Sequence, residues 1–95
     1  MAMPKYLIKR TVPGAGQMDV AALAAIATKS NEVLRGLGPD VQWLQSYVTD
    51  DKITCVYIAA NQDIIREHGR CGGFPVDAVN EVRTTIDPVT AESAA

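Results

Sequence analysis

Two kinds of hydrophobic pattern mark the first half of this chain. Lys5–Val12 contains the short apolar run Tyr6-Leu7-Ile8 and β-branched residues, which predicts a strand that Pro13-Gly14 ends. From Asp19, a suitable N-cap, apolar residues recur every three or four positions. This spacing predicts an amphipathic helix of about five turns, and Gly36–Pro39 ends it.

Two strands, a shorter helix and a last strand follow in the second half. Their predicted bounds are Val41–Val48, Ile53–Ala60, a helix that Asn61 or Asp63 opens and Gly72-Gly73 ends, and Val79–Ile86. We expect residues 4–88 to form a single domain, because 95 residues are too few for two cores. The tail 89–95 has little to pack, so we expect it to be disordered.

The order β-α-β-β-α-β predicts an α+β fold, the ferredoxin-like sandwich. In this fold a four-stranded antiparallel sheet carries two helices on one face. Apolar residues occupy both parities of the strands, so we expect some to project from the uncovered face. These are Tyr6, Ile8, Trp43 or Leu44, and Val56 or Tyr57. A face of this kind favours burial against a second copy, so we expect a homodimer that packs sheet against sheet, of the dimeric α/β-barrel type.

The register of the central hairpin decides which side chains share a face. A two- or four-residue loop pairs Ser46 with Cys55 and keeps Tyr57 on their face, whereas a three-residue loop pairs Tyr47 with Cys55 and brings in Trp43. The turn lacks the glycine that tight primed turns prefer. We therefore favour the four-residue loop.

In that register a polar pocket forms between helix and sheet. Ser46, Cys55 and Tyr57 face the helices, with Leu44 on the same side. His68 lies one turn beyond the apolar start of the second helix and points at the same layer. The sequence therefore predicts a pocket lined by these side chains.

Composition excludes several classes of partner. The net charge of −2 and a pI near 5.2 give no footprint for nucleic acid. Lys5, Lys9 and Arg10 cluster, and we interpret them as a solvated strand edge. No apolar run reaches the roughly 20 residues that span a bilayer, and no signal peptide is apparent. We expect a cytoplasmic protein whose two cysteines are thiols.

Histidine and cysteine offer one candidate chemistry, a metal site. His68 and Cys71 are three residues apart on a helix, and Cys55 could add a third ligand from a strand. Such a set would suit zinc, copper or nickel. Alternatively, His68 is a core histidine bonded to a hydroxyl or to a carbonyl at a helix end, and Cys55 is a small apolar packing residue.

Aromatic residues offer a second candidate, a cavity for a small apolar molecule near Trp43, Tyr47 and Tyr57 with His68 as a base. A third hypothesis is a structural dimer in which these residues only pack. No oxyanion-hole signature accompanies the thiols and the histidine, so the sequence favours a binding protein over an enzyme.

Several segments together resemble one bacterial family. They are Tyr6-Leu7-Ile8, Ser30-Asn31, Val41-Gln42-Trp43, Ser46–Lys52, Cys55-Val56-Tyr57, Ile65–His68 and Gly73-Phe74-Pro75. The chain resembles, from about Pro4 to Asp87, the small domain-of-unknown-function family DUF4242, which includes a nickel-binding protein. The resemblance implies a ferredoxin-like sandwich, a homodimer and nickel as the metal.

The resemblance also implies candidate ligands. His68, Cys55 and Tyr57 match positions of the family pattern and are the metal ligands that it implies. Cys71 departs from that pattern, so a ligand role there would be particular to this chain. The function that the resemblance implies is sequestration or sensing of nickel.

Overall fold

The structure is a computed structural model that describes residues 3–94. Its strands and helices are β1 Lys5–Thr11, α1 Val20–Leu37, β2 Val41–Val48, β3 Lys52–Ala59, α2 Gln62–Gly72 and β4 Ala78–Glu81, with 3₁₀ turns at Ala15–Gln17 and Pro88–Ala94. The side chains from 88 to 93 are exposed. Disorder of the tail stays a prediction, and Ala95 lies outside the described residues. Neither helix combines the length and the apolar character that crossing a bilayer requires.

The strands form one antiparallel sheet in the order β2-β3-β1-β4. This is an α+β protein with a four-stranded antiparallel sheet and two helices, consistent with a ferredoxin-like fold. β1 lies inside the sheet, between β3 and β4, so the interpretation of its basic cluster as a strand edge was wrong. Lys5 and Lys9 are exposed, whereas Arg10 turns to the opposite face and is buried.

Side-chain caps start both helices where the sequence placed them. The Asp19 carboxylate accepts a hydrogen bond from Ala22 N at 2.8 Å, and the Asn61 side chain accepts from Ile64 N at 3.1 Å. Asn61, not Asp63, is therefore the N-cap of α2. That helix ends at Gly73, whose φ of 70° lies in the left-handed region that favours glycine.

β4 is shorter than the predicted strand Val79–Ile86. Its ladder with β1 ends where Glu81 pairs with Tyr6 and Val82 N donates to the Lys5 carbonyl at 2.8 Å. β1 itself begins at Lys5, so the chain after Val82 has no strand to pair with. Ile86 is accordingly 76% exposed.

Both helices lie on one side of the sheet, and we call that side the covered face. Tyr6 pairs with Tyr57 and Ile8 with Cys55 on this face, and all four side chains are buried in the core. The expectation that Tyr6 and Ile8 would project from the uncovered side was wrong, whereas of the alternatives Val56 and Tyr57 it is Val56 that lies there. The helices cover the parity of β1 that contains Tyr6, Ile8 and Arg10, because the apolar side of α2 packs there through Ile65.

The other side, here called the open face, bears the alternate residues of the same strands. Leu7 pairs there with Val56, and Lys9 pairs with Thr54. Tyr47, opposite Thr54 on β2, is 57% exposed. The open face therefore has an apolar pair, Leu7 and Val56, and Lys5 and Lys9 lie two residues to either side of Leu7 along β1.

A β-bulge in β2 sets the final register. Ser46 pairs with Cys55, which confirms the register that we favoured. Trp43 pairs with Tyr57 and Gln45 pairs with Val56, so Leu44, which lies between them in β2, has no partner in β3. Leu44 is therefore the extra residue of a β-bulge. The bulge brings Trp43 onto the covered face. Leu44, expected there, is 47% exposed instead, because the extra residue has no opposite partner.

Candidate functional site

A cavity of about 290 Å³ lies between α1 and the covered face of the sheet. β1, β2, β3, both helices and the Phe74-Pro75 segment contribute to its lining, which is mostly apolar. A volume near 300 Å³ lies at the lower end of the range for small-molecule sites.

The predicted pocket residues meet in this cavity. Ser46, Cys55, Tyr57 and His68 all line it, as the hairpin register predicted, although the lining as a whole is mostly apolar and not polar as expected. Trp43, a candidate for the aromatic cavity, lines it as well, and its Nε1 donates to Ser46 Oγ at 2.9 Å. Tyr47, the third aromatic candidate besides Trp43 and Tyr57, lies on the open face instead.

His68 is held tightly by three neighbours. It is 1% exposed, and a hydrogen bond of 3.0 Å joins its Nε2 to Ser30 Oγ. Its ring meets the Tyr57 ring edge-on and stacks on Phe74, with centroids 5.4 Å apart in both pairs. Its Nδ1 is buried without a hydrogen-bond partner among the described residues. His68 is therefore a packed core histidine with one polar atom left over.

Burial favours the uncharged forms of two cavity side chains, His68 and Tyr57. Desolvation, followed by the positive charge of Arg10, lowers the pKa of His68 to about 4. Desolvation, followed by the neighbouring Cys55, raises the pKa of Tyr57. A histidine with so low a pKa is a weak general base near pH 7. The burial of His68 and its low pKa argue against a role as a catalytic base.

Arg10 is the one charged side chain in the cavity lining, and it is only 4% exposed. Its Nε donates to Cys55 Sγ at 3.4 Å and its Nη1 to the Pro75 carbonyl at 2.7 Å. The guanidinium carbon lies 5.7 Å from the centroid of the Phe74 ring. Nη2 is buried with no partner in the part of the chain that the structure describes. Both ion pairs found between residues 3 and 94 involve other arginines, so no described carboxylate neutralises Arg10.

Two glycines in α2 allow the following segment to close this side of the cavity. A Cβ on Gly72 would overlap the Phe74 ring, and a Cβ on Gly69 would lie 2.7 Å from Val76 Cγ2. Only glycine leaves room for the chain to fold back over the helix. This fold-back places Phe74 on His68 and the Pro75 carbonyl on Arg10.

Cys71 lies away from the cavity. It is exposed, and its Sγ donates to Glu67 Oε1 at 3.3 Å, beside the ion pair of Glu67 with Arg70. The hydrogen bond from Arg70 lowers the pKa of Glu67 to about 2, and the bond to Glu67 raises the pKa of Cys71. Within residues 3–94 no three side chains of the His, Cys, Asp and Glu types converge as a metal site would require. His68 is thus buried at the cavity, whereas Cys71 is exposed on the surface of α2.

Sequence reasoning missed Arg10, Ser30 and Phe74 as parts of the site. Arg10 shares the strand parity of Tyr6 and Ile8, and this parity was the available signal for its burial. Ser30 interrupts the apolar stripe of α1, where a polar residue usually needs a partner. Nothing local in the sequence marks Phe74 as the ring that stacks on the histidine.

Comparison with known proteins supports the fold and the family. The crystal structure of SCO4226 from Streptomyces coelicolor A3(2) is similar, with a TM-score of 0.73 at 13% identity, over 86% of this chain and 99% of that chain. At this identity the likeness shows the fold alone. No curated protein matched significantly. A family model does match residues 6–82, and it bears the description "Nickel responsive protein SCO4226-like" rather than the domain-of-unknown-function label. The chain belongs to this nickel responsive family.

Proposed function

We propose that this protein serves in a nickel response as a homodimeric binding protein, and that the cavity on the covered face is its binding site. The description of the family supports the link to nickel. A cytoplasmic location agrees with this role, since a reducing compartment keeps Cys55 and Cys71 as thiols.

The observation that carries the proposal is a buried cation in an apolar cavity. Leaving a charge buried without a counter-charge costs several kcal/mol on general grounds, and hydrophobic residues of similar volume usually do no worse in its place. Arg10 is nevertheless present, surrounded by Cys55, Phe74 and Pro75, with one nitrogen unpartnered. A group whose presence weakens the core is typical of a site that binds something.

Direct binding of nickel is the second candidate, with His68, Cys55 and Tyr57 as ligands. The unpartnered Nδ1 of a neutral imidazole favours it, because neutral imidazole is a good ligand for nickel. One chain offers few donors, however, and water or a second chain would have to complete the coordination. The guanidinium beside Cys55 also repels a divalent cation in a low-dielectric site. The cavity alone therefore favours an organic ligand over a bare metal ion.

Homodimerisation through the open face is supported by its apolar pair. Leu7 and Val56 lie there side by side; Leu7 is half-buried and Val56 is 9% exposed. Tyr47→Lys adds a charge to this exposed surface without touching the core, so it should convert the dimer to a monomer with little loss of stability. Sedimentation velocity of the wild type and the variant measures this. A wild type that stays monomeric at high concentration would refute the dimer.

Titration of tag-free, metal-stripped protein under anaerobic conditions tests the two candidates against each other. Tight nickel binding at a fixed stoichiometry, abolished in His68→Ala and kept in Cys71→Ser, would establish the metal site and reject the organic ligand as the primary function. Weak, unselective nickel binding, together with an organic compound that quenches Trp43 fluorescence saturably, would establish the cavity as the site. Trp43 is the only tryptophan in the chain, so its signal reports on the cavity directly.

A further inference from the structure

We infer that the ligand of the cavity is a small organic monoanion, a carboxylate with a short apolar body, whose anionic group pairs with the Arg10 guanidinium. This inference rests on the proposed function, because it names the chemical class of ligand for the same cavity.

First, the Arg10 guanidinium has hydrogen-bond donors that no described residue accepts. Its fork presents five N–H donors, of which Cys55 Sγ and the Pro75 carbonyl accept one each, and neither acceptor is a carboxylate. The Nη2 atom has no partner in the described chain. A ligand carboxylate would supply both the missing acceptor and the missing negative charge, and Arg is the side chain best suited to hold a carboxylate through two parallel bonds.

The second step is the character of the other polar groups. No aspartate or glutamate lines the cavity, so nothing described there repels an anion. Ser46 Oγ already accepts a hydrogen bond from Trp43 Nε1, which leaves the serine hydrogen free to donate. Arg10 is the only lysine or arginine among the lining residues, so it is the group that an anion would approach.

The third step is the size and polarity of the remaining space. Val12, Leu23, Ile26 and Ile53 are among the apolar side chains of the lining. A volume of about 290 Å³ equals that of roughly ten water molecules. One carboxylate on a short hydrocarbon chain or a single ring fits this description. A sugar phosphate does not, because its hydroxyls would lack partners and its second charge would lack a cation.

Three compounds of nearly equal size and different charge test the inference: 3-phenylpropionate, 3-phenylpropanamide and 3-phenylpropylammonium. Binding to the wild type is measured by Trp43 fluorescence and by calorimetry near pH 7. The carboxylate should bind about tenfold to a hundredfold more tightly than the amide. The reason is that a hydrogen bond from Arg10 to a charged acceptor is stronger than one to a neutral acceptor. The ammonium compound should bind more weakly than the amide.

Matched variants locate the effect. Arg10→Met should remove the preference for the carboxylate over the amide, while Arg83→Met, at an exposed arginine, should keep it. Ala27→Phe fills the cavity from α1 and should abolish binding of all three compounds. Thermal unfolding of each variant tests whether it is folded.

The outcomes separate the inference from the proposed function. Equal affinity for carboxylate and amide in the wild type, lost in Ala27→Phe, would overturn the anion and leave the cavity as a binding site. Absence of binding by any compound would overturn both. If Arg10→Met fails to fold, the dependence of the carboxylate's affinity for the wild type on ionic strength still tests the inference. A carboxylate held by buried Arg10 keeps its affinity between low and high ionic strength, whereas one held by surface lysines loses it.

Discussion

The two faces of the sheet are built from alternate residues of the same strands, yet the charged residues of β1 are exposed on one face and buried on the other. Lys9 and Arg10 are neighbours in β1. Lys9 lies exposed on the open face, whereas Arg10 is buried on the covered face under the helices. A lysine in water costs almost nothing, while a buried guanidinium without a carboxylate weakens the fold. From this contrast we infer that binding, rather than stability, accounts for the charge on the covered face.

The apolar residues of β1 also differ in burial between the two faces. Ile8 is fully buried in the core between the sheet and α2, whereas Leu7, on the open face, is only partly buried. Ile8→Ala should therefore lower the free energy of unfolding by about 2–5 kcal/mol. Leu7→Ala should lower it by about 1 kcal/mol or less in the isolated chain. Urea unfolding at low protein concentration measures both, and similar losses for the two variants would contradict this division of the sheet.

Acid should weaken the covered face selectively. Folding lowers the pKa of His68 to about 4, so between pH 6.5 and pH 4 the unfolded chain binds a proton that the folded chain does not. The free energy of unfolding should therefore fall as the pH drops through this range, by up to about 3 kcal/mol. His68→Gln cannot titrate and should lack this part of the slope. Unfolding in urea at several pH values compares the two proteins, and identical slopes would contradict the burial of an uncharged His68.

Substitution of Arg10 or of its neighbour Lys9 compares the two faces again. Here we expect smaller changes in the free energy of unfolding. Arg10→Met replaces a buried, unneutralised charge with an apolar side chain. It should leave the protein as stable as the wild type or about 1 kcal/mol more stable. Lys9→Met, on the open face, should change the free energy of unfolding by about 0.5 kcal/mol or less. Thermal unfolding measures both variants. A large loss of stability in Arg10→Met would show that the guanidinium serves the fold.

Much of the fold follows from local signals in the sequence. The caps at Asp19 and Asn61, the glycine at the end of α2 and the short apolar, β-branched runs of the strands predicted the order of the elements. The pairing of Ser46 with Cys55 followed from loop length, and it placed Cys55, Tyr57 and His68 at one cavity. These features depend on residues close together in the chain, which is why they could be predicted.

The features that escaped prediction depend on contacts between distant segments. The bulge at Leu44 brings Trp43 onto the covered face, and hydrophobic pattern alone does not place a bulge. β4 ends at Glu81 because β1 has no further residue to pair with it. Arg10 looked like part of a solvated cluster because its burial depends on Pro75 and Phe74, more than sixty residues away along the chain.

The central claim is that the cavity of the covered face holds an organic anion at Arg10. A crystal structure of the protein grown with 3-phenylpropionate tests it most directly. The account predicts the carboxylate in the cavity, with its oxygens about 2.7–2.9 Å from guanidinium nitrogens of Arg10 and its ring near Trp43. A carboxylate bound only at surface lysines such as Lys9, with the cavity free of the compound, would contradict it.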